Sequence, residues 1–173
     1  DELSSKISSG STPLGGSENY LEEGDILFIR SQNVLMNKFS NHDKLYISKE
    51  IHKNMKRTWV KKYDVLLNIT GASIGRTAIY LGEDDQANVN QHVCIIRTNQ
   101  EQLDPRFLNY LLLSNSGQQQ IDSFQAGGNR QGLNFGQIRS FRLPLPTTPE
   151  QRAIAVVLSD TDALIVALNE LIS

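Results

Sequence analysis

The feature that most constrains this chain is an apolar stripe near its C-terminus. Its members follow one another at alternating steps of four and three residues, which is the spacing of the a and d positions of a coiled coil. We call this set the helix seam: Ile154, Leu158, Thr161, Ile165, Leu168 and Ile172. Such a stripe has to be covered, either by the chain's own domain or by another helix in a coiled coil. The sequence leaves both alternatives open.

The start of this helix carries its own signals. Pro149 follows Thr148, and Gln151 lies three residues after that threonine. A threonine N-cap, a proline at the first helical position and a capping-box glutamine are typical of a helix start. The pattern therefore predicts a long helix that is capped by Thr148.

The chain before this helix begins with segments of strand type. Short apolar runs bounded by turn residues predict strands, and they cover residues 25–30, 44–47, 63–70, 76–81 and 88–97. Gly71 and Gly75 lie in the tight turn between the third and fourth of these runs. That turn predicts a β-hairpin.

Helical spacing takes over in the second half of the chain. Pro105 opens an apolar pattern with steps of three and four residues, and 117–124 is a second helical stretch. A further short strand is predicted over 138–145. Strands followed by helices predict a mixed, strand-rich α+β domain with a few short helices over residues 1–146. We expect residues 147–173 to be the first turns of a long spacer helix.

Charge is distributed unevenly, although the formal net charge is only −2. Residues 30–62 hold nine Lys and Arg against two acidic residues, a net charge of +7, whereas 1–29 and 63–173 are net acidic. A local surplus of this size is an electrostatic footprint that can meet phosphate. A solvated face of a strand or helix is the alternative, because basic runs are common.

Several classes of protein are excluded by composition. The longest unbroken apolar run is residues 153–158, too short to span a membrane, and no signal-type segment opens the chain. Cys94 is the one cysteine, which excludes an intrachain disulfide framework and multi-cysteine zinc sites. These features fit a cytoplasmic protein. Because the first residue is Asp1 rather than Met, we expect the chain to be a fragment.

Enzyme signatures are weak. The stretch 71–76 lacks the spacing and the lysine of a phosphate-binding loop. His92 and Cys94 are two residues apart in a strand-type run, which places them on one face as a conceivable nucleophilic or metal-binding pair. A buried thiol beside a polar histidine is the simpler interpretation, because the sequence offers no third partner. We therefore expect neither catalytic residues nor a metal site.

Five stretches together resemble a known family. They are Gly10–Pro13, Ile26–Val34, Asp64–Arg76, Asn90–His92 and Leu143–Leu158. In order and approximate spacing they resemble a target recognition domain, which is half of the specificity (S) subunit of type I restriction–modification systems. The string Pro-Leu-Pro-x-x-Pro-Glu-Gln-Arg-x-Ile-Ala is the most specific of them. It resembles the family's junction into a conserved spacer helix.

The resemblance implies DNA recognition without chemistry of its own. Subunits of this family typically carry two such domains joined by long antiparallel helices, and each domain recognises one half of a split double-stranded DNA target. They position separate methyltransferase (modification) subunits and a restriction subunit. S-adenosylmethionine, ATP and Mg would belong to those partners, and this chain would bind no cofactor. A second recognition domain would come from the same chain or from dimerisation.

The resemblance also gives roles to polar side chains. Arginine suits guanine and Asn or Gln suits adenine in the major groove, whereas lysines neutralise phosphates. The candidate DNA-contacting residues are Arg30, Ser31, Gln32, Asn33, Lys38, Lys44, Lys56, Arg57, Lys61, Lys62, Thr70, Ser73, Arg76, Asn90, Gln91, His92, Gln125, Asn129, Arg130 and Gln131. The helix seam would form the interface with another helix.

Several alternatives remain at this point. Asn33 and Asn90 can instead cap their own turns, and Arg76 can be structural. Two other functions also fit the sequence: a recognition domain of a fused restriction–methyltransferase chain, and a stand-alone enzyme that uses His92 and Cys94. A Cys94→Ala substitution would abolish the activity of such an enzyme and have little effect on a recognition domain.

Overall fold

The computed structural model describes residues 3–82, 84, 86–125 and 132–172. Over these residues the order of elements is that of an α+β fold, as the sequence predicts. The strands are β1 (Ser4–Ser9), β2 (Ile26–Ile29), β3 (Val34–Leu35), β4 (Lys38–Phe39), β5 (Tyr46–Ile47), β6 (Val65–Asn68), β7 (Thr77–Ile79), β8 (Gln86–Val89) and β9 (Val93–Thr98). The helices are α1 (Lys49–Asn54), α2 (Pro105–Leu113), α3 (Asn115–Ser123), α4 (Phe135–Arg139) and α5 (Thr148–Ile172).

Two sheets form the centre of the fold. A four-stranded sheet has the order β1-β9-β6-β7, and its neighbouring strands are antiparallel. A three-stranded sheet has the order β5-β2-β8, in which β2 and β8 are parallel. The carboxyl ends of β2 and β8 therefore meet at one edge, where Ile29 lies opposite Val89. The two short strands β3 and β4 form a separate hairpin.

The core is layered because each central strand is buried on both faces. Leu67 and Ile96 of the four-stranded sheet pack with Phe107 and other side chains of the helical layer. Leu66 and Ile95, one residue earlier on the same strands, pack instead with β2 and β8. Successive side chains of a strand point to opposite faces. Two buried faces explain why these strands are continuous apolar runs in the sequence rather than alternating patterns.

Most of the predicted elements are confirmed, with three corrections. The glycine turn joins β6 and β7 in a hairpin, and helices α2 and α3 lie where the apolar spacing places them. The strand predicted over 138–145 is wrong, because Ile138 belongs to α4 and residues 141–147 are irregular. The strand predicted over 88–97 is two strands, interrupted at residues 90–92.

The third correction concerns the start of α5, which lies one residue earlier than predicted. The Gln151 N–H donates to the carbonyl of Thr147, 2.9 Å away, so Thr147 is the capping residue. The Glu150 carboxylate accepts the Thr147 N–H at 2.9 Å, which is the reciprocal half of a capping box. This interaction lowers the pKa of Glu150. Gln151 is buried instead, and its amide nitrogen donates to the carbonyls of Gln102 and Pro146.

The helix seam does not pack on the described part of the chain. Its apolar members are 38% to 83% exposed. The residues of α5 that are buried are Gln151 and Ala155, and Asp162 is half-buried. The domain thus packs against a stripe of α5 that lies beside the seam, next to Leu158. The coiled coil and the domain boundary at residue 146 stay predictions.

A buried ion pair lies at the start of β6. The Asp64 carboxylate is 1% exposed and accepts two hydrogen bonds from Arg97, from Nε and Nη2, each at 2.7 Å. It also accepts the Lys61 N–H at 2.7 Å. Arg97 lies on β9 and Lys61 in the segment before β6, so one carboxylate joins two elements.

We expect the Asp64→Ala substitution to lower the free energy of unfolding by about 3–5 kcal/mol, because it leaves a partly buried guanidinium without its partner. Urea denaturation of purified protein measures this. The matched control is Asp25→Ala, which breaks an exposed ion pair with Lys49 and should leave stability almost unchanged. Equal stability of the two variants would contradict the importance of this pair.

Candidate nucleic-acid interface

Three polar loops meet at one end of the sheets. The first follows β2, the second follows β6, and the third follows β8. Parallel pairing brings the first and third loops to the same edge. Asn68, the last residue of β6, lies opposite Val93 at the start of β9, so the second loop arrives beside the third. Residues far apart in sequence therefore form one surface, which we call the loop surface.

The loop surface is concave and open. Its depression has a volume of about 500 Å³. It is lined by Ser31, Gln32, Thr70, Gly71, Ala72, Ser73, Arg76 and His92. All of these except Gly71 and Ala72 are candidates from the sequence. The structure thus brings six predicted residues from three loops onto a single surface.

His92 is held from two sides at this surface. Its Nδ1 atom is hydrogen-bonded to the Thr70 hydroxyl, and its Nε2 atom lies 3.0 Å from the amide nitrogen of Gln91. The His92 N–H donates to the side-chain oxygen of Asn90 at 3.0 Å. Neutral histidine has one donor and one acceptor nitrogen, so these contacts use both. Gln91 is exposed, and its amide retains hydrogen-bonding capacity for a ligand.

Asn33 does not fit the predicted role in DNA contact. It is fully buried, its side-chain oxygen accepts the Arg30 N–H at 3.0 Å, and its side-chain nitrogen donates to the carbonyls of Ser40 and His42. Every polar atom of the side chain is therefore used to shape its own loop. These contacts match the structural alternative for this residue.

Asn90 and Arg30 are also engaged locally. Asn90 is 7% exposed and caps the turn at His92, which matches the structural alternative. The Arg30 guanidinium is half-buried and donates from Nη2 to the carbonyl of Asp43 at 2.6 Å. Arg30 thus ties its loop to the segment before β5. Arg76, by contrast, lines the open depression.

The sequence did not identify the residue that joins the loops. Asn68 is fully buried, and its amide nitrogen donates to the carbonyls of Ser31 and Val34 at 2.8 and 3.2 Å. Its backbone bonds to Arg76 and Gly75 of the second loop. A polar residue at the end of an apolar run, directly before the glycine turn, is the signal that could have identified it.

Further candidates from the sequence belong to the segment between α3 and α4. Asn129, Arg130 and Gln131 lie outside the described residues. The residues on either side of this segment are described: Gln125 is half-buried, and Gly132 forms a β-bridge with Thr70. The Leu133 N–H then donates to the carbonyl of Ile69 at 2.8 Å. The chain therefore returns from 126–131 directly beside the loop surface.

Four basic residues of the stretch 30–62 lie away from the loop surface. Lys61 and Lys62 precede β6, whereas Thr70 follows it. Lys56 and Arg57 lie in a 3₁₀ turn ahead of Val60, whose N–H donates to the carbonyl of Ala87 near the start of β8. These four residues are exposed. They form a basic end of the sheets, opposite the loop surface, and the structure does not bring the two sets together.

The two remaining lysine candidates, Lys44 and Lys38, belong neither to the loop surface nor to the basic end. Lys44 forms an ion pair with Asp84 at 2.9 Å, and both side chains are mostly buried. Its charge is therefore compensated within the fold, and the predicted phosphate contact does not suit it. Lys38 is exposed on β4 and lines a depression beside α5, away from the loops.

His92 and Cys94 do not form a pair. Cys94 is fully buried among the side chains between the four-stranded sheet and the helices. Burial raises the pKa of its thiol to about 12, so the nucleophilic thiolate is scarce at neutral pH. The His92 ring nitrogens are used by Thr70 and Gln91. Over the described ranges, no three His, Cys, Asp or Glu side chains are grouped as a metal site.

No helix in the described part of the chain is long and apolar enough to cross a membrane. The cytoplasmic location stays a prediction.

Residues 4–173 match the family model described as "Type I restriction modification DNA specificity domain". The chain belongs to this family. The match covers the domain, the three loops and α5 together, so it confirms the resemblance on which the sequence interpretation depends.

Two curated proteins with sequences similar to this chain are specificity subunits. The putative type I restriction enzyme MjaX specificity subunit of Methanocaldococcus jannaschii is 34% identical over 99 residues, which is 56% of this chain and 23% of that protein. The type I restriction enzyme EcoBI specificity subunit of Escherichia coli is 35% identical over 108 residues, 62% of this chain and 22% of that protein. This chain thus spans less than a quarter of either.

Solved structures of type I systems share the fold. A chain from a structure titled as the basis of complex assembly and conformational transition of the type I R-M system superposes with a TM-score of 0.68 and 19% identity. The HsdS subunit from Thermoanaerobacter tengcongensis gives 0.63 and 17%. Each superposition covers 95% of this chain and 37% of the other. These matches favour neither a fused restriction–methyltransferase nor a stand-alone enzyme.

The structural role of Asn33 can be tested against its neighbour Gln32. We expect Asn33→Ala to lower the free energy of unfolding by at least about 2 kcal/mol, because buried backbone groups lose their hydrogen bonds. Gln32→Ala, which removes an exposed amide of the same loop, should leave stability within about 0.5 kcal/mol. Chemical denaturation of both variants measures this. A stable Asn33→Ala variant would return Asn33 to the DNA-contacting candidates.

Proposed function

We propose that this chain is the half of a type I specificity subunit that recognises one part of a bipartite, double-stranded DNA target. The observation that carries this proposal is the loop surface. Three loops with separate origins present hydroxyl, amide, imidazole and guanidinium groups around one open depression. Sequence-specific recognition of DNA needs such a mixture of donors and acceptors at base edges.

Base contacts are assigned to the loop surface, where Gln32 and Gln91 are exposed and Arg76 is half-buried at the open depression. Arg76 carries the forked donors that suit guanine, and the amides of Gln32 and Gln91 supply the paired donor and acceptor that suit adenine. Thr70 and Ser73 lie at the glycine turn, where backbone N–H groups approach phosphate. Ser31 and His92 complete the rim. Gln125 and the three candidates in 126–131 would adjoin them.

The basic end is assigned to phosphates. Lys56, Arg57, Lys61 and Lys62 are exposed and close together in sequence, and lysine contacts with phosphate add affinity without sequence information. Because this end is opposite the loop surface, its contacts would lie on a different part of the DNA from the recognised bases.

The phosphate assignment predicts a change in salt dependence. Replacing Lys56, Arg57, Lys61 and Lys62 by Gln should weaken binding to all sequences equally and flatten the slope of log K against log salt by about 0.9 for each phosphate that is no longer neutralised. Fluorescence anisotropy at several salt concentrations measures it. The control replaces Lys38, Lys49 and Lys53 by Gln and should keep most of the slope. A slope unchanged in the first variant would move the phosphate contacts elsewhere.

Assembly is assigned to the helix seam. Its exposed apolar side chains would pack against another helix, from a second recognition domain in the same protein or from dimerisation. The complex would add methyltransferase and restriction subunits, to which S-adenosylmethionine, ATP and Mg would belong. Support for this comes from the family and from the exposed seam, which leaves apolar surface to be covered.

A domain exchange tests the proposed function. In cells that carry the parent system, residues 1–145 are replaced by the corresponding part of a related specificity subunit, and methylated bases are mapped by sequencing. One half of a split methylation motif should change while the other half stays, because only one recognition surface has been exchanged. Exchange of residues 147–172 alone is the matched control and should preserve both halves. An unchanged motif after the first exchange would refute the proposal.

A further inference from the structure

Side-chain hydrogen bonds attach helix α5 to the domain at two separated points, and Ala155 is buried in the core between them. The first is Gln151, in the first turn, whose side chain is hydrogen-bonded to Gln102, Pro146 and the Asp104 N–H. The second is Asp162, half-buried in a stretch whose neighbours are exposed. Eleven residues of helix place these points about 16 Å apart along the axis.

Asp162 accepts two hydrogen bonds from different elements. The Tyr110 hydroxyl of α2 donates to Oδ2 at 2.7 Å, and the side-chain nitrogen of Asn37 donates to the same atom at 2.5 Å. Asn37 lies in the turn between β3 and β4 and adopts a positive φ of 56°. Burial, together with Asp162, raises the pKa of Tyr110, so its hydroxyl keeps its proton and remains a donor.

The chain of hydrogen bonds continues into the sheet. Asn109 of α2 donates from Nδ2 to the side-chain oxygen of Asn37 at 2.7 Å. The Thr77 hydroxyl of β7 donates to the side-chain oxygen of Asn109 at 3.1 Å. A carboxylate can only accept, so Asp162 fixes the orientation of the first amide, and each amide fixes the next. The network joins α5 to α2, to the β3–β4 turn and to β7.

Apolar packing contributes little at this point of the helix. A depression of about 370 Å³, lined by Phe39, Ile79 and Asp162 among others, lies beside α5. Contacts at two separated points fix the angle of a helix relative to its domain, whereas a single contact would let the helix pivot. Among residues 156–172 of α5, Asp162 is the one that is not exposed, so its carboxylate is the contact that fixes the angle of the helix beyond Ala155.

We propose that Asp162 is a positioning residue that locks helix α5 to the recognition domain at one angle. This lock, formed by the hydrogen bonds from Asn37 and Tyr110 to Asp162, determines the position of the loop surface relative to the partner that binds the helix seam. Its consequence for DNA rests on the proposed function: in a bipartite target, a fixed angle selects a fixed interval between the two half-sites.

A distance measurement tests the lock without DNA. Spin labels are placed on the 173-residue chain by Glu50→Cys on α1 and Asn169→Cys near the end of α5. Buried Cys94 stays unlabelled, and an excess of unlabelled chain suppresses distances between copies. The unsubstituted Asp162 protein should give one narrow distance distribution in pulsed electron paramagnetic resonance.

We expect Asp162→Ala to broaden or shift that distribution, because the removal of two hydrogen bonds to a charged acceptor raises the undocked population about tenfold or more. Asp160→Ala is the matched control: it removes the same charge from an exposed position of the same helix and should keep the narrow distribution. Asp162→Asn retains an accepting oxygen and should restore most of it.

A narrow, unshifted distribution in Asp162→Ala would overturn the proposal. If Asp162→Ala fails to fold, the double variant Asn37→Gly and Tyr110→Phe decides instead. It removes both donors while glycine tolerates the positive φ, and it should broaden the distribution in the same way. A distribution like that of the unsubstituted protein would overturn the proposal equally.

The functional arm uses the complete specificity subunit with its modification subunits. Methylation rates are compared on targets whose half-sites are separated by the native interval or by one base pair more or less. Asp162→Ala should lower the preference for the native interval about tenfold, in proportion to the undocked population, and Asp160→Ala should not. A preference equal in both variants would refute the link to DNA spacing. If no bipartite target is methylated, the proposed function fails, while the distance measurement still decides the lock.

Discussion

The loop surface depends on the side chain and backbone of one buried residue. Asn68 terminates β6, and its amide nitrogen holds the loop after β2 through the carbonyls of Ser31 and Val34. Its own N–H donates to the carbonyl of Arg76, and its carbonyl accepts the Gly75 N–H. Because Asn68 also pairs across the sheet with Val93, just after the third loop, a single position sets the spacing of all three. A recognition surface built from loops needs such a rigid support, since a contact displaced by about 1 Å loses most of its hydrogen-bond energy.

The sequence predicted those parts of the fold that local signals determine. Glycines at the β6–β7 turn and apolar spacing after Pro105 depend on nearby residues, so their elements lie where the patterns place them. The pairing of β2 with β8 joins residues 26–29 to 86–89, and no local signal specifies it. The lack of a local signal also explains which roles in the candidate site the sequence could not predict. Gln32 and Asn33 are adjacent polar residues, yet one is exposed and the other is fully buried. Only the partners of Asn33, which come from seven to nine residues later, separate the two roles.

Helix α5 has two faces with different chemistry. Gln151, Ala155 and Asp162 contact the domain through polar and small groups, and the apolar seam lies beside them around the helix, with Leu158 nearest to them. Most of the apolar stripe therefore stays exposed, whereas an ordinary surface helix buries its apolar stripe against its own domain. A polar face gives direction, because hydrogen bonds to a carboxylate and an amide are satisfied in one orientation only. Burial of an apolar seam stabilises association with another helix and depends less on orientation. On the proposed role of Asp162, hydrogen bonds would orient the domain on α5, which leaves the exposed seam available for association.

The distribution of charge fits a division between affinity and specificity. The fold distributes the surplus in residues 30–62. Lys44 and Lys49 are paired with Asp84 and Asp25, Arg30 is tied to the carbonyl of Asp43, and Lys38 and Lys53 are exposed on β4 and α1. The other four, Lys56, Arg57, Lys61 and Lys62, are exposed at the basic end. The loop surface is consequently poor in lysine and rich in amides and hydroxyls. Lysine binds phosphate as a point charge with little angular preference, whereas amides and guanidinium groups match base edges in fixed geometry. Under the proposed function, the remoteness of the basic end from the loops means that phosphate attraction would not have to hold the duplex in one register. Register would then be determined by the loops and by the angle between α5 and the domain.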